Sequence, residues 1–322
     1  MSLKWKIIVF ALALLILIGV VGVVVWQFYG QRRVVAGPIS VVDDVGRNVT
    51  ITSYPPERIV SLAPSCTEIL FALGLGHKVV GVDEYSDYPP EVVERVETGN
   101  LTIVGSFAEI SVETVVGLKP DLILATGGVQ RTVVENLEGL GQTVVVLYPY
   151  GRGFEGTLAD ISLVGKATGQ IDAAETLVDE MKRRAQEIVD KTKNAPRPRV
   201  YVEYFFDGGY WSYGGGSDVN ELISMAGGIN VFAGFASAYL STSTEEILKA
   251  NPEVIIISKG AMAISCGLTP EEIKRRPGWD KIYAVQNDQV YEIEESILVR
   301  PGPRVVDALE ALAKLLHPEL FG

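Results

Sequence analysis

QIDAAETLVDEMKRRAQEIVDKTK, residues 170–193, is a run of strong helix formers in which Ala173, Leu177, Met181, Ala185 and Ile188 recur at three- and four-residue spacing. The spacing predicts one helix about 36 Å long. Asn194 and the prolines Pro196 and Pro198 end it. On both sides of this helix, short buried-strand patterns alternate with single helical ones. Before it come strands at 58–62, 78–82, 121–125 and 143–147, with helices at 67–73 (stopped by Gly74), 112–118 and 133–140. After it come strands at 200–205, 253–258 and 290–293, helices at 220–225 and 244–250, and a closing helix at 304–316. Strands separated by helices pair in parallel. The expected fold is therefore α/β, with two lobes joined by one long backbone helix, each holding a central, mainly parallel sheet with flanking helices. The expected boundaries are 34–168 for the first lobe, 169–195 for the helix and 196–322 for the second lobe.

An internal echo relates the halves. Residues 111–124, SVETVVGLKPDLIL, match residues 243–256, STEEILKANPEVII, with Ser, Glu and Pro in register. Each copy reads as a serine cap, an acid in the first turn, a helix, a proline stop and a buried strand. A glutamate there favours the helix dipole in any α/β unit. The alternative is that Glu113 and Glu245 present one exposed carboxylate per lobe to a common partner.

Residues 7–26, IIVFALALLILIGVVGVVVW, match the hydrocarbon thickness of a bilayer as a helix. An N-terminal transmembrane helix is expected within residues 1–33, retained as an anchor because a secretory signal has a shorter apolar region, although Val34 and Ala36 also match a cleavage site. Lys4 and Lys6 balance Arg32 and Arg33, so charge does not set the orientation. Asn48 and Asn100 lie in glycosylation triplets, which matter only outside the cell.

The chain has 322 residues, 28 basic and 40 acidic, for a net charge of −12. That balance argues against general nucleic-acid binding. Two histidines, His77 and His317, and two cysteines, Cys66 and Cys266, are too few for a His-rich metal centre, a Cys-rich zinc site or a disulfide scaffold. Cys66 near a helix start is a position that can lower a thiol pKa, but no histidine falls in a partnering motif. No carboxylate spacing marks a glycosidase pair and no Gly-Lys-Ser/Thr marks a nucleotide loop. No enzyme, cofactor or metal site is expected.

Several motifs fall in a characteristic order: RIVSLAPSCTEILFALGLG (58–76), VVGVDEYSDYPP (79–90), LKPDLI (118–123), and RPGW (276–279) leading to Val290 and Tyr291. From about residue 40 onward the chain resembles the extracytoplasmic substrate-binding proteins of ABC importers for cobalamin and ferric siderophores, with the YSDYPP segment most similar to the cobalamin branch. The resemblance implies two lobes on a rigid helix that open and close only slightly, with one ligand in the cleft between them. It implies that Glu113 and Glu245 pair with arginines of the permease. It also places Tyr85, Phe107, Trp211 and Tyr239 on cleft positions, where aromatic faces lie against a corrin. Tyr239 keeps the family's spacing to Glu245, while Thr126 stands where the cobalamin branch carries a large aromatic.

Helix starts at Ser65, Cys66 and Thr67, and glycines 127–128 and 214–216, offer free amides to the same cleft or are simply tight turns. Arg300, in RPGPR (300–304), either projects to the cleft, as arginines holding anionic chelates do in siderophore-binding relatives, or forms a structural ion pair. The expected function is capture of cobalamin outside the membrane and delivery to an ABC permease and its ATPase. The alternative is a ferric siderophore or haem-type chelate. A membrane-anchored metal-tetrapyrrole enzyme or chelatase is the remote reading, and a structural surface protein the remaining one.

Overall fold

The structure, a computed structural model, describes residues 37–148 and 151–322. The apolar run at 7–26 lies outside them; among the described residues no helix is long and apolar enough to cross a membrane. A hairpin of β1 (Ile39–Val42) and β2 (Asn48–Ile51) opens the chain. The first sheet then has five strands, β3 (Ile59–Ser61), β4 (Val79–Val82), β5 (Thr102–Ile103), β6 (Leu122–Thr126) and β7 (Val144–Leu147). All are parallel, in the order β5-β4-β3-β6-β7. The order reverses between β3 and β6, so a crevice opens at their carboxyl ends, where ligands of open α/β sheets bind.

The second sheet is mixed. It contains β8 (Arg199–Phe206), β9 (Tyr210–Tyr213), β10 (Ile229–Asn230), β11 (Tyr239–Thr242), β12 (Val254–Lys259) and β13 (Val290–Glu294). β8, β10, β12 and β13 run parallel, whereas β9 runs antiparallel to both of its neighbours, β8 and β11. The turn at Asp207-Gly208-Gly209 between two aromatic runs is the sequence signal for the β8–β9 hairpin.

The echo is structural as well as sequential. Ser111 and Ser243 each cap a helix, Val112–Gly117 and Thr244–Ala250, by accepting a bond from the backbone three residues on. Lys119 and Asn251 both adopt left-handed backbone just before Pro120 and Pro252. The strands that follow, β6 and β12, both occupy interior positions of their sheets.

The link between the sheets is the helix Ile171–Thr192, 22 residues long. It is packed rather than free-standing: Ala174, Met181, Ala185 and Ile188 are buried. The helix Gly153–Thr168 precedes it, turning at left-handed Gly169. The two helices approach so closely that a Cβ on Gly165 would lie 2.4 Å from that of Ala174. The closing helix Val305–Leu316 covers another side, with Arg184 paired to Asp307 and Glu310. One hydrophobic core runs without a break from Ile59 and Leu70 of the first lobe through Met181 to Val202 and Leu309 of the second. Separate cores lie on the outer faces of the two sheets. A shared core makes wide separation of the lobes costly, since it would return apolar surface to water.

Candidate functional site

In the first lobe the crevice is organised by Gln130, which is 1% exposed. Its side-chain amide donates to the carbonyls of Leu62 (2.6 Å) and Phe107 (3.0 Å), and its oxygen accepts from the Thr126 amide (2.9 Å). One side chain thus ties the ends of β3 and β6 to the loop carrying Phe107, whose ring is half-buried. After β4, Asp83 accepts from Ser86 (2.5 Å) and from the Tyr85 amide (3.1 Å). This braces the loop on which Tyr85 stands 53% exposed. Burial raises the Asp83 carboxyl to about 6, against the pull of those hydrogen bonds and of Arg300.

The second lobe contributes an aromatic wall. Tyr204, Tyr213 and Tyr239 cluster with centroids 4.9 to 5.9 Å apart. Trp211 shares a face of β9 with Tyr213 and donates its indole N–H to Asp207 at 2.9 Å. Burial, then the neighbouring Tyr239 and Glu295, push the Tyr204 phenol up to about 12. Between the lobes lies a depression of about 130 Å³, bordered by Gly151 of the first lobe and Tyr213, Asp218, Tyr239 and Val299 of the second. A larger one, about 430 Å³, lies wholly in the first lobe beside Val45, Arg47, Thr126, Arg131, Val134 and Val146.

Two polar seams hold the lobes together. Asp218 accepts from the amides of Gly151 (2.9 Å) and Gly153 (2.8 Å), and Glu221 accepts from Phe154 (2.9 Å), so acids of one lobe satisfy the helix start of the other. In the second seam, Arg304 makes paired bonds to the buried Glu68, at 2.9 and 2.6 Å, and lies 4.0 Å from the Tyr88 ring centre. Arg300 joins it, bonding Asp87 (2.5 Å), Glu68 (3.4 Å) and the Tyr85 carbonyl (3.3 Å). Of the two readings of Arg300, the structure has the ion pair. The bond brings it beside Tyr85, but its charge is already engaged.

Two expectations need correction. The Cys66 side chain is 0% exposed, in the core shared by the lobes, and burial pushes its thiol well up. It faces inward because it sits on the buried side of the helix Pro64–Ala72, so it offers a cleft ligand no side-chain contact. The amides of glycines 214–216 are not free either. They donate to the carbonyls of Ala238 (3.0 Å), Phe235 (2.7 Å) and Ser237 (3.3 Å). A Cβ on any of the three would fall 2.1 to 2.3 Å from a carbonyl oxygen of that loop, which is why glycine stands there. Gly127 likewise donates to Leu147. Glu113 and Glu245 are exposed in the first turns of their helices, and neither joins an ion pair among the described residues.

Sequence reading missed Tyr204, Tyr213, Asp218 and Glu295. The alternation along β8 and β9 puts Tyr204 and Tyr213 on the inner face, but nothing local tells the inner face from the outer.

Residues 59–297 match the family described as periplasmic binding protein. The chain belongs to that family. It is 31% identical to the ABC transporter substrate-binding lipoprotein YvrC of Bacillus subtilis, over 88% of this chain and 87% of that one. It is 32% identical to the vitamin B12-binding protein of Vibrio cholerae, over 82% and 90%. The crystal structure of an ABC-type Fe3+-hydroxamate transport protein from Saccharomonospora viridis superposes with a TM-score of 0.68 at 26% identity, over 88% of this chain and 99% of that one. The two-lobed α/β architecture is thus the fold of this family.

Proposed function

We propose that this protein is the solute-binding component of an ABC importer, held on the extracytoplasmic side of the membrane by residues 7–26, and that it captures cobalamin in the cleft and passes it to a permease. The observation that carries this reading is Tyr239 at the lobe boundary, 44% exposed and backed by the buried Tyr204 and Tyr213, which offers an aromatic face to a large ring. Tyr85, Phe107 and Trp211 extend it. The engagement of Arg300 with Asp87 and Glu68 weighs against an anionic ferric chelate, the second reading suggested by such relatives. The 130 Å³ depression is too small to enclose a corrin, so the guest would insert an edge and keep an open face toward the permease. We read this as binding without chemistry; the Cys66 thiol is buried in the core, 3.9 Å from the Ala125 carbonyl.

Glu113 and Glu245, one on each lobe, would meet basic residues of the permease. Calorimetry of the full-length chain tests the ligand: one-to-one heat with cyanocobalamin supports the reading. Silence with cyanocobalamin alongside heat from a ferric chelate or haem moves the assignment to the iron branch. For docking, Glu113→Ala with Glu245→Ala should leave affinity intact and abolish uptake; normal uptake removes that role.

A further inference from the structure

Glu295 follows β13 and opens the short helix Glu295–Val299, whose last residue borders the depression between the lobes. Its carboxylate is half-buried and makes no hydrogen bond or ion pair among the described residues. It lies against the Cα of Gly260, at the end of the neighbouring strand, where a Cβ would fall 1.7 Å from its oxygen. Any side chain at position 260 would displace it, so the backbone is bare where the carboxylate rests. The groups around it are Tyr204 on β8, Tyr213 on β9, Glu294 on β13 and Arg300. Burial, with Glu294 adding to it and Arg300 opposing it, raises its pKa. The basic residues flanking it are spoken for: Arg300 by Asp87 and Glu68, and Lys259 by Glu292 at 2.6 Å.

A carboxylate kept partly out of water without a partner is costly unless something supplies a donor. We propose that Glu295 is the ligand-selecting group of the cleft, accepting hydrogen bonds from donors on a neutral or cationic guest, such as primary amides, and repelling polyanionic chelates. This deepens the receptor reading above and rests on it. Amide N–H groups would meet the carboxylate while an apolar ring face lies on the exposed Tyr239, which the buried Tyr204 and Tyr213 support from behind. An anionic guest would meet instead an unpaired negative charge with no free cation beside it.

The test is titration of the full-length chain and of Glu295→Gln with cyanocobalamin and with the trianionic ferric complex of enterobactin, at about pH 7.5 and about pH 5. Gln keeps the size and an acceptor but loses the charge. The expected result is about tenfold weaker cyanocobalamin binding in the variant at the higher pH, the strength of one charge-assisted bond. Wild type should weaken toward pH 5 as the carboxylate protonates, with a flat profile in the variant and improved binding of the ferric complex. Equal affinities and parallel pH profiles overturn the role of Glu295. Preference of wild type for the ferric complex also overturns it while leaving a receptor in place, whereas binding of neither probe overturns the receptor reading and this inference with it.

Discussion

Replacing Arg304 by Met removes one side of the seam between the lobes while keeping the aliphatic stem. Arg304 makes two bonds to Glu68, at 2.9 and 2.6 Å, and stacks on Tyr88. Glu68 is 3% exposed, so the variant leaves a carboxylate in the core with only Arg300, 3.4 Å away, to compensate it. Losing one partner of a buried pair costs about 3–5 kcal/mol. With Arg300 remaining, the lower end applies, about 3 kcal/mol, which lowers the melting temperature by about 6 °C in a chain of this size. The assay is urea and thermal unfolding of the full-length chain for wild type, Arg304→Met, Glu68→Gln and the double variant. Because the double variant buries no orphan charge, it should be less destabilised than the two single effects added together, by about 2 kcal/mol. A single variant within about 0.5 kcal/mol of wild type, or strict additivity, would refute the claim that this pair bridges the lobes through a desolvated contact.

Three further expectations follow from the same geometry. Burial, with Asp44 bonded beside it, pushes the Asp160 carboxyl up to about 9. The folded state therefore keeps a proton that the unfolded chain loses near pH 4, and stability contributed by this group is present at low pH and falls as pH rises toward 9, by at most about 1.4 kcal/mol per pH unit. Asp160→Asn lacks this titration, so its unfolding free energy should decline less than wild type between pH 5 and 8; parallel curves would contradict the assignment. Gly215→Ala drives a Cβ to 2.1 Å from the Ala233 carbonyl, so the loop leading to Tyr239 must shift. We expect a loss of about 1–3 kcal/mol in a melt, together with weaker cyanocobalamin binding. In the outer core of the second lobe, Arg276 clamps the fully buried Glu203 with two bonds of 2.8 Å and lies 4.6 Å from the Trp279 ring centre. Glu203→Ala should cost about 3–5 kcal/mol in urea unfolding while leaving the cleft's affinity unchanged in the fraction that folds.

The elements legible in the sequence are those whose signal is local. The stripe from Ala173 to Ile188 announces the connecting helix because a 3.6-residue period needs no knowledge of partners. The echo of 111–124 in 243–256 carries its own caps and stops, and both copies fold alike down to the left-handed Lys119 and Asn251. What stayed hidden depends on contacts between distant segments. A helix start does not reveal which way Cys66 points. A glycine run announces conformational freedom but not that its amides are taken by the loop at 233–238. Arg300 has one spacing in the chain and two destinies, and only the approach of Asp87 and Glu68 from the other lobe decides between them. Tyr204, Tyr213 and Glu295 come near one another only when the strands are laid in the order β9-β8-β12-β13, and strand order is not written in any one of them.

The central claim is that a large guest binds between the lobes and not in the roomier hollow of the first lobe. Hydroxyl-radical footprinting of the full-length chain with and without cyanocobalamin measures this directly. The account predicts protection at Tyr85, Trp211 and Tyr239, with Val45, Val134 and Val146 unchanged. Protection of those valines with the three aromatics still reactive would contradict it.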